Sequence, residues 1–165
     1  MSVTAGFLVL AGVMTSYLMA TRGLTAAGNY ADHQHDMRSI FGPLASDVRH
    51  ASGLTNYSST DIALMVVTNI TGGTVSSKVV RYYQGTGANS NNFYRDDAGT
   101  ARILSSSLKS VSFTAYDKNL STSGVDQTTC KLLKVNLSLQ KTTFNTTNNE
   151  QTVSARLVLR NKVAL

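Results

Sequence analysis

Asp32-His33-Gln34-His35-Asp36 is the densest run of metal-ligating side chains in the chain. On a helix, residues two apart point about 200° away from each other, so His33 and His35 cannot close on one ion. Asp32 and Asp36 do share a face. A zinc site draws on three or four converging ligands, and no third ligand is evident here. The run therefore reads first as a solvated helix face and only second as a metal site. Cys130 is the single cysteine, which excludes an internal disulfide and a Cys-x-x-Cys site. Its default role is that of a small buried hydrophobe, with Lys131 the one adjacent cation. Ser, Thr and Asn together number 51, yet no Gly-x-Ser-x-Gly elbow occurs and no Asp/His partner stands out. Gly85-Thr86-Gly87-Ala88 lacks the Lys and the following helix of a phosphate loop. Asn-x-Ser/Thr at Asn56, Asn69, Asn119, Asn136 and Asn145 is what so much Asn, Ser and Thr produces by chance. No catalytic, cofactor-binding or metal-binding residue is assigned, and the chain is expected not to be an enzyme.

One charged patch stands out. The net charge of +6 sits in the last two thirds. After Cys130, Lys131, Lys134, Lys141, Arg156, Arg160 and Lys162 face only Glu150. By strand parity Arg156, Arg160 and Lys162 share one face, with Lys134 nearby. The plain reading is a soluble, charged sheet face. The functional reading is an anion-binding surface made of Lys134, Arg156, Arg160 and Lys162, for DNA or another anionic surface. Interleaved aromatics that would stack bases are missing, which makes nucleic acid the weaker partner.

These side chains must be carried by elements, and the first is unusual. Residues 1–21 carry no charge, and Ala5 to Ala20 is apolar or small throughout. Sixteen such residues span roughly 24 Å of helix, a little short of a hydrocarbon core of about 30 Å. Three readings compete. A signal peptide needs a basic start and small residues at its cleavage site, but no Lys or Arg precedes Arg22 and the best site is Leu18-Met19-Ala20. A buried core helix would need burial on every side. A membrane helix fits best, with Phe7, Leu8, Leu10, Gly12, Val13, Met14 and Leu18 as its membrane and assembly surface.

Beyond Arg22 the pattern turns amphipathic. Tyr30, Met37, Ile40, Phe41, Leu44 and Val48 recur at helical spacings, which predicts one buried stripe. Tyr30, Met37, Phe41, Leu44 and Val48 are expected to pack on the rest of the molecule. A single helix from about Ser2 to about Ala51 would be roughly 75 Å long. Gly42-Pro43 predicts a kink or restart, and Gly53 a C-terminal stop. From residue 61 the period changes to two. Seven strands are expected: 61–68, 78–84, 93–95, 101–104, 109–117, 131–141 and 152–161. Inward parities fall on Val111, Phe113 and Ala115; on Leu133, Val135, Leu137 and Leu139; and on Val153, Ala155, Leu157 and Leu159. Charged residues are 15% of the chain against roughly 25% in an average soluble protein, which suits a neutral, hydroxyl-rich sheet. The expected fold class is α+β, a long N-terminal helix packed on an antiparallel β-sheet head. Its parts are residues 1–21, an apolar membrane or filament-core helix; 22–53, its amphipathic continuation; and 54–165, the head.

This layout resembles the type IV pilin and type II secretion pseudopilin superfamily over the entire chain. Ser46-Asp47-Val48-Arg49-His50-Ala51 is similar to the segment that ends the first helix in minor, PulJ/PilW-like subunits. Asp61-Ile62-Ala63-Leu64 resembles their first strand, Tyr94-Arg95 their aromatic-Arg step, Ile103-Leu104 to Phe113 the stretch that follows, and Leu157-Val158-Leu159-Arg160-Asn161 their ending. The resemblance implies a minor pilin or pseudopilin, held in the bacterial inner membrane by one helix with a periplasmic head. Its partners would be other pilins or pseudopilins, reached through that helix. An alternative is a filament-tip binding module using the basic face. The basic leader, the Gly-Phe-Thr-Leu-Ile-Glu-like processing site and its glutamate are not matched by any residue. Met1 to Gly6 resembles family sequence roughly nine residues past the cleavage point, so the chain is expected to begin at an internal methionine.

Overall fold

Nothing between Ser2 and His50 stops a helix, and in the computed structural model one helix, α1 (Ser2–His50), covers the whole span. Its 49 residues make a rod of about 74 Å. The structure describes residues 2–71, 74–123, 125, 129–143 and 146–159. The expected restart at Gly42-Pro43 is absent, and the backbone stays helical through Pro43. Ile40, Leu44 and Val48, on either side of the proline, are fully buried. Their packing holds the turn helical although Pro43 can donate no hydrogen bond to the preceding turn. Gly53 is not the stop either. The helix ends at His50, with Arg49 and His50 in its last turn, where positive charge complements the negative end of the helix dipole.

The chain passes directly from the helix into β1 (Ala51–Tyr57), a strand not expected from the residues. Its Ser, Gly and Asn read as turn formers, but Ala51 and Leu54 are buried and set its face. β2 (Asp61–Thr71), β3 (Thr74–Gln84), β4 (Phe93–Asp97) and β5 (Thr100–Ser105) follow. They complete an antiparallel five-stranded meander in sequence order. β6 (Leu108–Tyr116), β7 (Leu132–Thr143) and β8 (Thr146–Val158) form a second, three-stranded antiparallel meander, so there are two sheets, not one.

The parities hold in the second sheet. Val111, Phe113, Ala115, Leu133, Val135, Leu137, Leu139 and Leu159 are buried, and Val153 and Leu157 pack against them. Phe93 of the first sheet lies between Tyr82 and Phe113, with ring centroids 6.2 and 6.5 Å away, so the two sheets share one core. Tyr57 also ties them together: its hydroxyl donates to the Phe113 carbonyl at 3.3 Å and accepts from the Ala115 N–H at 3.1 Å.

On the helix the buried stripe is Asn29, His33, Met37, Ile40, Leu44 and Val48, in steps of three and four. Met37, Leu44 and Val48 are where the periodicity put them, and Phe41 is half-buried at the margin. Tyr30 is not on the stripe. It lies about 100° round from Asn29 and is 62% exposed. His33 takes the stripe position instead. It is 3% exposed, so the Asp-His-Gln-His-Asp run is not simply a solvated face.

Candidate functional site: an exposed apolar helix and its root in the head

The stripe begins at Asn29, and the described side chains of α1 before it are almost all exposed. From Gly6 to Gly28 every residue is exposed except Thr25, which is intermediate. Phe7, Leu8, Val9 and Leu10 are consecutive, so they point in four directions about 100° apart, and all four are largely exposed. The arm is therefore apolar and bare around its full circumference. Its 23 residues span about 34 Å, against a hydrocarbon core of about 30 Å. α1 is long and apolar enough to cross a membrane. Arg22 is the one charge before Asp32.

Four of the arm's hydroxyl groups find acceptors within the helix itself. Thr15, Ser16, Thr21 and Thr25 donate to the carbonyls of Ala11, Gly12, Tyr17 and Thr21 at 2.8 to 2.9 Å. Such back-bonding lets a polar side chain sit in an apolar medium, where an unmet group costs several kcal/mol. Phe7, Leu8, Leu10, Gly12, Val13, Met14 and Leu18 all lie on this arm. Leu24, 76% exposed, extends the apolar surface beyond Arg22. That extension was missed because Arg22 marked an apparent end.

The root of the arm is held by charge as well as by apolar packing. Asp47 is buried at the last turns of α1. One of its oxygens accepts from the Tyr82 hydroxyl at 2.6 Å and from Arg95 Nε at 2.9 Å. Tyr82 and Arg95 stand directly opposite each other on β3 and β4 and so share the face turned to the helix. Arg95 Nη1 continues to Asp97 at 3.1 Å, and Lys78 closes the row on Asp97 at 2.7 Å. Burial and the Asp47 acceptor push the Tyr82 phenol well above its ordinary value, so it stays a donor. Burial works against the Arg95 charge, but Asp47 and Tyr82 outweigh it and hold the guanidinium charged. Lys78, with Arg95 behind it, holds the Asp97 carboxyl below its ordinary value. Further up the helix, Ser39 Oγ donates to the Leu104 carbonyl at 2.7 Å and Ser105 Oγ donates to Asp36 at 2.8 Å. Lys141 pairs with Asp32. The carboxylates of α1 are thus anchors to the head, a role that their spacing alone did not reveal.

The architecture is pilin-like. One long N-terminal helix, bare in its first half, is followed by antiparallel sheet that packs on its second half. Compared with protein-family models, with curated proteins and with solved structures, the chain matches none.

The remaining candidates separate. Among the described residues no group of three or more His, Cys, Asp or Glu side chains converges as a metal site. Cys130 is buried beside β7, and its thiol donates to the Leu132 carbonyl. Of the basic residues, Lys134 and Arg156 are direct cross-strand partners in β7 and β8. Arg160 and Lys162 lie outside the described residues. A cleft between the end of α1 and β8 is lined by Arg49 and Arg156 with Ala45, Val48, Leu157 and Val158. Arg49 belongs to this basic group through the fold and not through any sequence spacing.

Proposed function

We propose that this chain is a minor pilin or pseudopilin: a structural subunit, not an enzyme, that uses α1 first as a membrane anchor and then as its packing element in a filament. One observation carries the reading. Residues 6–28 of a continuous helix stand clear of the head, apolar on every side, while residues 29–48 are locked to it. A bare apolar rod of that size needs lipid or other helices around it. Its surface suits both in turn. Small residues such as Gly6, Ala11, Gly12, Ser16 and Ala20 lie among Phe7, Leu8, Leu10, Val13, Met14 and Leu18, and within lipid close backbone approach drives helix association. Apart from the helix's own backbone, no heavy atom lies within 4 Å of where a Gly12 Cβ would be, so that surface is open to a neighbouring backbone.

In this reading the head is periplasmic, the anchor lies in the bacterial inner membrane, and the partners are other pilin-like subunits. The test is cysteine crosslinking of Gly12→Cys and Ser16→Cys in membranes; the native Cys130 is buried and does not compete. Crosslinks through both positions, to copies of this chain or to other pilin-like helices, are expected, together with extraction only by detergent. A chain that is soluble and monomeric without detergent would end this proposal.

A further inference from the structure

We propose that the cleft between the end of α1 and the edge strand β8 binds a compact oxyanion of the phosphate class through Arg49 and Arg156. The site is independent of the membrane and filament reading.

Size comes first. The cleft holds about 180 Å³. That is below the roughly 300 Å³ at which pockets for organic ligands begin, yet about six times the 30 Å³ of one liquid water. A tetrahedral ion with part of its hydration shell fits that space.

Charge comes second. Lys134 and Arg156 stand directly opposite each other across β7 and β8. Like charges in that relation repel, because cross-strand Cβ atoms are only about 5 Å apart. Arg49 reaches the same cleft from the helix end. Among the described residues, no ion pair involves Arg49, Lys134 or Arg156. The other charges nearby are committed elsewhere: Asp47, two residues before Arg49, is turned to Arg95 and Tyr82, and Glu150 on β8 is bonded to Lys109 and Ser138. Among the described residues, the cleft is thus lined by two arginines and no carboxylate. Chemistry comes third: both are arginines, whose planar forks match phosphate oxygens.

The same chemistry is offered by free phosphate and by the phosphodiester of a polymer. Lipid headgroups are placed out of reach, since Arg49 is 27 residues beyond Arg22, or about 40 Å along the helix. Only that exclusion rests on the membrane reading of the arm.

The experiment uses the full chain in a zwitterionic detergent, titrated calorimetrically with inorganic phosphate at constant ionic strength against a chloride control. Saturable phosphate binding is expected. Arg49→Gln and Arg156→Gln should each weaken it about tenfold or more, the loss of one charged hydrogen bond. Arg102→Gln, an exposed cation on β5, should leave it unchanged. Circular dichroism of each variant should match the parent. In a second arm a duplex oligonucleotide is added. Displacement of phosphate, with the same dependence on Arg49 and Arg156, assigns the polymer as the source; phosphate binding without displacement assigns the free ion. No saturable phosphate binding, or binding that ignores both substitutions, or equal loss in Arg102→Gln, would overturn the proposal.

Discussion

Asp47, Arg95 and Tyr82 show how much a few polar contacts can decide. The pair is mostly buried, with 20% of the Arg95 side chain and 12% of Asp47 exposed. Removing one partner of such a pair leaves a charge in a poor solvent, which costs about 3 to 5 kcal/mol when burial is complete. Residual exposure puts Arg95→Met near the lower end, about 3 kcal/mol. Tyr82→Phe removes the hydroxyl that donates to Asp47 and accepts from Arg95 Nε but leaves the ion pair, so about 1 to 2 kcal/mol is expected. Urea unfolding of the detergent-solubilised chain tests both; a loss below about 1 kcal/mol for Arg95→Met would show the pair to be solvated. A pH effect belongs to the same scale. The carboxyls of Asp97, Asp32 and Glu150 are all held below their ordinary values by lysine partners, with Arg95 and Ser138 assisting at Asp97 and Glu150. A depressed folded pKa gives stability that is complete above the unfolded value and is lost as pH falls through the folded one. Unfolding free energy is therefore expected to be flat near neutrality and to fall once pH drops below about 4. Asp97→Asn should reduce that acid slope; an unchanged slope would mean that the Lys78–Asp97 contact carries no stability.

At the scale of elements, α1 is one helix with two surfaces. Its second half packs through Ile40, Leu44 and Val48, each fully buried, while the larger Phe41 sits at the edge of the contact. Burial and not size should set the cost of truncation. Leu44→Ala is expected to lose about 2 to 5 kcal/mol and Phe41→Ala less than Leu44→Ala. The reverse order in thermal or urea unfolding would show that the helix is rotated relative to this packing. Pro43 is the one residue in the packed half that opposes the helix. Pro43→Ala should stabilise the fold, by up to about 3 kcal/mol. A loss of stability would show that the proline shapes the helix to the head.

At the scale of the molecule, the boundary at Asn29 divides a rod from a head. The apolar surface that needs partners lies before it, and the anchors lie after it. Deleting residues 1–28 should therefore give a soluble, monomeric head by size-exclusion chromatography, with the Asp47–Arg95 lock intact. The complete chain should stay in solution only with detergent. A truncated head that still associates would place the assembly surface on the sheets, where Met65, Val79 and Ile103 are exposed.

The residues by themselves determined the apolar rod, the amphipathic stripe and the alternation in β6, β7 and β8. Each is a local periodicity that burial simply obeys. They did not reveal β1, because Ser, Gly and Asn mark turns unless a neighbouring strand claims their backbone. Tyr30 was misplaced because a stripe about 100° wide admits two neighbouring residues, and only contact with the head chooses between them. The division into two sheets, the Asp47–Tyr82–Arg95 lock and the meeting of Arg49 with Arg156 were decided by the tertiary structure alone. Those partners lie far apart in sequence, 48 residues for Asp47 and Arg95, and no local pattern records such a pairing.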